Sequence, residues 1–216
     1  ADSYQPAKAE PLTAELHDPP VEVEAAYLAE MVRAEVKHRY GDAAFSKGYE
    51  VYASVDSAMQ ASADRALRRA LIEYDRRHGW RGPELQLTLE QAPTPLALDR
   101  KLSDVPRLGG LNPAVVLSVD AKSVTFYVKR TGPATVAWGQ MKWAKKRIDI
   151  NRLGKAPKKP SDILARGDVV RLEQVSVRDK KTKQSEMVWR LSQLPDVEGA
   201  FVSIDPLDGR IVALSG

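Results

Sequence analysis

The sequence has no cysteine, three histidines and three phenylalanines in 216 residues. Without thiols there is no disulfide framework and no thiolate chemistry, and the chain is compatible with a reducing or an oxidising compartment. His17, His38 and His78 are scattered without the spacing that zinc ligation needs. There is no Gly-rich phosphate loop, no apolar run near the roughly 20 residues needed to span a bilayer, and no signal peptide at Ala1. An initiating Met is also missing, so the expectation is a soluble piece of a longer protein.

What is present is ordinary for a globular protein: 43% hydrophobic and 29% charged residues, with room for one large domain or two small ones. The net charge of +4 is unevenly spread. Residues 1–100 carry 12 Lys+Arg against 17 Asp+Glu, and residues 101–216 carry 21 against 12. The basic excess concentrates at Lys142, Lys145, Lys146, Arg147, Arg152, Lys155, Lys158 and Lys159, and again at Arg178, Lys180, Lys181 and Lys183. Such asymmetry can mark an anionic partner, although a solvated loop is the commoner explanation.

Residues 1–22 are rich in Ala, Pro and Glu, and Pro19-Pro20 forbids helix, which predicts a linker. Tyr27, Leu28, Met31, Val32 and Val36 then recur at helical spacing up to Gly41, a residue suited to the position after a helix. From Gly48 to Val55 the apolar Tyr49, Val51, Ala53 and Val55 alternate with polar neighbours, which predicts a half-buried strand. A helix follows, capped by Asp56 or Ser57, with Ser57 and Gln60 at capping-box spacing. Its predicted apolar face is Met59, Ala63, Ala66, Leu67, Ala70, Leu71 and Tyr74, and Gly79 stops it. At the other end of the chain two alternating runs flank Asp205-Pro206-Leu207-Asp208-Gly209, a hairpin signal.

The stretch between these pieces reads as an all-β insertion. Strands are predicted over 114–119, 123–129, 134–138, 169–175 and 186–194, and five short strands with a long excursion after the third suit an OB-like Greek-key barrel. Phe126, Trp138 and Trp189 fall in strand patterns as core residues, whereas Trp143, between Lys142 and Lys145, is expected near the surface. Asp75-Arg76-Arg77-His78 is placed to pin the helix end to the insertion through ion pairs.

Several of these stretches resemble one known family. Tyr27-Leu28-Ala29-Glu30-Met31-Val32-Arg33, Arg39-Tyr40-Gly41, Gly48 to Asp56, Gln60 with Ala63 and Ala66-Leu67, and Tyr74 to Glu84 are similar to the linker region of class A penicillin-binding proteins of the 1a type. Val197 to Pro206 with Asp208 to Leu214 resembles the strand pair entering the transpeptidase core of that family. The resemblance implies a piece of a bifunctional peptidoglycan synthase on the periplasmic side of the bacterial inner membrane. The implied fold is α+β: an OB-like five-stranded barrel inserted into a partial transpeptidase subdomain of strand, helix and hairpin, preceded by a linker helix. The corresponding division is 1–47 linker, 48–85 transpeptidase strand and helix, 86–194 OB-like accessory domain, and 195–216 transpeptidase hairpin.

The residues depart from a catalytic transpeptidase. A nucleophilic Ser with Lys three residues on is required, and no Ser here has one. Lys129-Arg130-Thr131-Gly132 resembles the Lys-Thr-Gly element only with a residue inserted, and reads as a strand end entering a turn. The expectation is therefore a noncatalytic accessory and linker region, without cofactor, metal or catalytic residue. It would position the catalytic domains and dock a regulator, such as an outer-membrane lipoprotein activator, or peptidoglycan. Lys142, Trp143, Lys145, Lys146, Arg147, Arg152, Lys180 and Lys181 are the candidate partner-binding residues. The alternative is an OB-fold module for single-stranded nucleic acid, in which basic side chains track phosphates and exposed aromatics stack bases.

Overall fold

A computed structural model describes residues 22–178 and 183–216. The linker expected over 1–22 thus lies, apart from Glu22, outside the described residues. Two compact units are present: one runs to Ala61 and takes in Ser203–Leu214, and the other comprises Ser62–Val202 with Ser215–Gly216.

In the first unit, helix α1 spans Ala26–Tyr40, where the apolar spacing predicts it. Lys37, His38 and Arg39 occupy its last turn, opposite in sign to the partial charge of the helix C-terminus. Gly41, at φ 55, leaves the helix while its N–H still bonds the Lys37 carbonyl. None of its residues is buried. Glu30–Arg33 and Glu35–Arg39 form surface ion pairs, which accounts for both glutamates as solvated charges. A 3₁₀ turn, Gly41–Phe45, follows, and the rings of Tyr40 and Tyr49 stack 4.4 Å apart.

The strand predicted over 49–55 is not formed. The segment has no regular secondary structure, and Tyr49, Val51 and Tyr52 are exposed. Alternation specifies which side chains share a face, but a strand also needs a neighbour for its backbone groups. Among the described residues only the end of the segment meets one: the Ser54 hydroxyl donates to the Ile211 carbonyl at 2.7 Å and the Asp56 N–H to the Val212 carbonyl at 3.0 Å.

Helix α2 spans Ser57–Arg77. Asp56 caps it, Oδ1 accepting the Met59 N–H at 2.8 Å. The capping box that Ser57 and Gln60 could have made is absent, because the Gln60 amide serves the hairpin instead. It donates to the Leu214 carbonyl and accepts the Leu214 N–H, both at 2.8 Å, and is buried there. The predicted apolar face is rotated. Ala63 and Ile72 are buried and Leu67 and Leu71 half-buried, but Met59, Ala66, Ala70 and Tyr74 face solvent. Gln60 near the start of the helix and Asp75 near its end are buried polar side chains.

The second unit is built on an antiparallel sheet. Its strands are β1 (Leu85–Gln86), β2 (Asn112–Val119), β3 (Ser123–Val128), β4 (Gly132–Ala137), β7 (Asp168–Arg178) and β8 (Ser185–Ser192). Between β4 and β7 lies a separate ribbon of β5 (Arg147–Asp149) and β6 (Arg152–Leu153). The sheet order is β1-β7-β2-β3-β4, with β8 also on β7. Strand β7 bonds β2 along one edge, and along the other β1 at its start and β8 from Arg171 onward. Strand β4 approaches β8 to within 8 Å between Cα atoms. Among the described residues no ladder joins the two, so the expected five-stranded barrel is not closed by hydrogen bonds.

Both faces of this sheet are covered. On the inner side Val116, Val124, Phe126, Val136, Leu172 and Leu191 pack with Trp80, Met141, Ala144 and Leu164. Phe126 and Met141 are fully buried, and Trp138 and Trp189 pack half-buried against the same cluster. On the outer side Val115, Tyr127 and Val169 are covered by Leu98 of helix α3, Pro95–Lys101, by Leu102 just past its end, and by Val105. Residue Thr94 caps α3, its Oγ1 accepting the Ala97 N–H at 3.3 Å, with Pro95 in the first turn where a missing N–H costs nothing. A buried arginine ties the β7 edge: Arg171 forms a fork with Glu84 at 2.7 and 2.8 Å. The chain ends in a hairpin of β9 (Phe201–Ile204) and β10 (Ile211–Ser215). Its turn is closed by Asp205 N–H to the Arg210 carbonyl at 2.8 Å, with Gly209 at φ 77.

Candidate functional site

The candidate surface begins where α2 ends. Gly79 has φ 94, and a Cβ there would lie 2.5 Å from Leu153 Cδ2 and 2.9 Å from the Lys145 carbonyl oxygen, so only glycine fits. The backbone of Trp80 then runs beside the basic loop: its N–H donates to the Lys145 carbonyl at 2.7 Å and its carbonyl accepts the Arg147 N–H at 2.9 Å. A further bond, from Gly154 N–H to the Lys146 carbonyl at 2.7 Å, holds the returning side of the loop. Asn151 donates its N–H to the Asp149 carboxylate at 3.0 Å, forming the turn between β5 and β6.

A polar lock secures this assembly. Asp75 is buried and accepts from Arg81 at 2.5 Å, from the Gln193 amide at 2.7 Å and from the Asp196 N–H at 3.2 Å. Gln193 also donates to the Gly79 carbonyl at 2.8 Å. Asp196 in turn pairs with Arg81 at 3.2 Å and Arg147 at 2.8 Å. Beside it Arg76 pairs with Glu173, which Arg190 also reaches at 3.1 Å. The Asp75–His78 stretch therefore pins the helix end to the sheet, as its charges predict, with His78 instead stacked on Tyr74. Burial pulls the Arg76 guanidinium below its ordinary pKa, and the attraction of Glu173 opposes that shift.

The predicted binding residues sort by what already occupies them. Arg147 is committed to Asp196, and Arg152 pairs with Asp149 at 3.1 Å. Trp143 is not the surface aromatic expected from its lysine neighbours. It is half-buried, edge-on to Trp80 with ring centroids 5.8 Å apart, and its indole N–H donates to the Leu191 carbonyl at 3.0 Å. The guanidinium of Arg76 covers it at 5.4 Å, so ring and donor are both engaged. Lys142, Lys145 and Lys146 are exposed and carry no ion pair among the described residues. Lys180 and Lys181 lie outside the described residues.

Sequence reasoning missed two exposed aliphatic side chains in the same ribbon, Ile148 and Ile150, at 52% and 65% exposure. The spacing Ile148-Asp149-Ile150-Asn151 carried a signal for them, since an Asp two residues before Asn favours a tight turn that keeps its neighbours on the surface. The surface is thus a turn carrying two exposed isoleucines, preceded in the chain by three exposed lysines without ion pairs among the described residues. The Lys129–Gly132 stretch is a tight turn, with Arg130 at φ 59 and the Lys129 ammonium bonded to the Ser103 and Val105 carbonyls at 2.9 and 3.0 Å.

Residues 80–197 match the penicillin-binding protein OB-like domain family. The chain is 38% identical over 216 residues to penicillin-binding protein 1A of Vibrio cholerae serotype O1, covering 99% of this chain and 26% of that protein. It is 36% identical over 213 residues to penicillin-binding protein 1A of Pseudomonas aeruginosa, covering 99% and 24%. The crystal structure of penicillin-binding protein 1A from Haemophilus influenzae superposes with a TM-score of 0.73 at 27% identity, covering 100% of this chain and 29% of that one. The chain spans about a quarter of the length of the curated relatives it matches. With an OB-like domain matched over more than half of its residues and 1A-type relatives aligned along nearly all of them, the chain belongs to the penicillin-binding proteins of the 1A type.

Proposed function

We propose that this chain is a noncatalytic accessory and linking region of a bifunctional peptidoglycan synthase, exposed on the periplasmic side of the inner membrane. In this reading the parent polymerises glycan and cross-links peptides. Residues 48–85 and 195–216 belong to its transpeptidase domain, and 86–194 form the accessory OB-like domain. The close approach of β4 to β8 supports a barrel whose last seam is packed rather than hydrogen-bonded. The insertion holds the catalytic domains in register and docks a regulator or the glycan.

One observation carries the docking role: three lysines without ion pairs among the described residues lie in the segment leading into the β5–β6 ribbon, which carries two exposed isoleucines and which the Asp75–Arg81–Asp196–Arg147 chain clamps to the sheet. A solvated loop has no need of such a clamp, whereas a binding surface gains affinity from being held in place before the partner arrives. The nucleic-acid reading is not favoured. Its stacking platform is missing from the sheet, where Phe126 is buried and Trp138, Trp143 and Trp189 are packed against the core.

The test uses the parent enzyme. Deleting residues 86–193 is expected to abolish partner capture or lower one of the two activities, and the Lys142→Glu/Lys145→Glu/Lys146→Glu variant to weaken capture at least tenfold while leaving thermal stability unchanged. Unchanged activities and unchanged partner binding in the deletion would overturn the proposal.

A further inference from the structure

The outer side of α2 carries a second basic feature, separate from the lysine ribbon. A cleft of about 260 Å³ lies between α2 and the β7–β8 pair. Its walls hold Arg65, Arg68, Arg69, Arg76 and Arg190. Against these five cations stand two carboxylates, Glu73 and Glu173, and Glu173 is already shared by Arg76 and Arg190. Ile72 and Val175 line the same space, the first buried and the second half-buried.

Three of the five arginines, Arg65, Arg68 and Arg69, form no ion pair among the described residues. Arg68 and Arg69 are exposed and form no ion pair among the described residues, and Arg65 donates to the Ser62 hydroxyl, a neutral acceptor, at 3.0 Å. Arg76 is 14% exposed, and its Nε is buried without a hydrogen-bond partner.

Arginine forks match the planar, two-oxygen face of a carboxylate or phosphate. Two features of this cleft select between them. Glu73 and Glu173 sit among the arginines, so a row of closely spaced phosphates would meet like charge at every step, whereas single carboxylates set apart along a chain need not. The apolar floor at Ile72 and Val175 rewards side chains between the charges, which a phosphate backbone does not offer. We propose that this cleft docks an acidic segment of a partner polypeptide in which Asp or Glu residues alternate with aliphatic ones. The inference rests on the docking reading above and gives it a second, chemically different surface.

The probe is a labelled twelve-residue peptide alternating Glu with Val, followed by fluorescence anisotropy on the full 216-residue chain. Saturable binding that weakens with added salt is expected, with at least a tenfold loss for the Gln-for-Glu peptide and for the Arg68→Glu/Arg69→Glu variant. Both substituted side chains are exposed, so melting temperature is expected to stay within a few degrees of the parent chain. Absence of saturable binding, equal binding by the variant, or tighter binding of a single-stranded oligonucleotide or of polyphosphate than of the peptide would each overturn the assignment. The Lys142→Glu/Lys145→Glu/Lys146→Glu variant separates the two surfaces. If it loses the peptide while the Arg68/Arg69 variant keeps it, the cleft assignment falls and the ribbon stands. If it keeps both the peptide and full capture of the parent's partner, the ribbon reading falls and the cleft stands.

Discussion

Gly79 is the residue on which the geometry of the lysine ribbon turns. The helix must end and the chain must reverse into Trp80 within two residues, and a Cβ at this point would press on Leu153 of the returning strand and on the Lys145 carbonyl. Backbone oxygen cannot swing aside as a long side chain can. Gly79→Ala therefore combines the strain of positive φ with a backbone clash, and is expected to lower the unfolding free energy by about 2–4 kcal/mol. Gly82 supplies the control: its φ is 98, but nothing lies within 4 Å of the place a Cβ would occupy, so Gly82→Ala is expected to cost only about 1–2 kcal/mol. Urea unfolding of the two variants gives the comparison, and equal losses would show that the contact with the ribbon adds nothing to the strain.

At the scale of elements, the least anticipated piece is α3. It is seven residues long, yet Leu98 and Leu102, at its middle and just past its end, are almost completely buried against Val115, Tyr127 and Val169. It converts the outer face of β2 and β3 from a solvent face into a second core. Leu102→Ala is expected to cost about 2–5 kcal/mol, as for other fully enclosed leucines, and calorimetry would register it. A loss below about 1 kcal/mol would mean that α3 is a loosely held cover. The strands beneath it were readable because their alternation and their turns agree, as at Val124, Phe126 and Val128 before the Arg130 turn. Helix α3 announced itself only by Thr94-Pro95, a cap and a first-turn proline, in a stretch too short for periodicity to speak. The segment 49–55 failed in the opposite sense. Its pattern is that of a strand, but pattern does not supply the neighbour that a strand must bond. Trp143 misled for a similar local reason: lysines on both sides suggested solvent, while Trp80 and the Leu191 carbonyl, distant in sequence, hold the ring.

For the second unit as a whole, the question is where its stability boundary falls. The family match begins at Trp80, and the last turn of α2 lies before it. Yet Asp75 is the acceptor on which Arg81, Gln193 and the Asp196 N–H converge, and Arg76 covers the Trp143 ring and pairs with Glu173. Removing those two residues leaves Gln193 short of a partner, frees one side of Arg81, and uncovers an indole that is otherwise packed. Breaking one side of a buried ion network costs on the order of 3–5 kcal/mol. For a domain of this size each kcal/mol is worth about 4 °C in melting temperature. A fragment of residues 80–197 is therefore expected to melt at least about 10 °C below one of residues 62–202. Within the longer fragment, Asp75→Ala should reproduce most of the difference, since it removes the shared acceptor and leaves the helix in place. If the two fragments melt together, the OB-like domain is self-sufficient and the end of α2 is only its tether. If they separate as expected, the helix is part of the domain's own fold, held there through the ion pairs that run from Asp75 by Arg81 and Asp196 to Arg147.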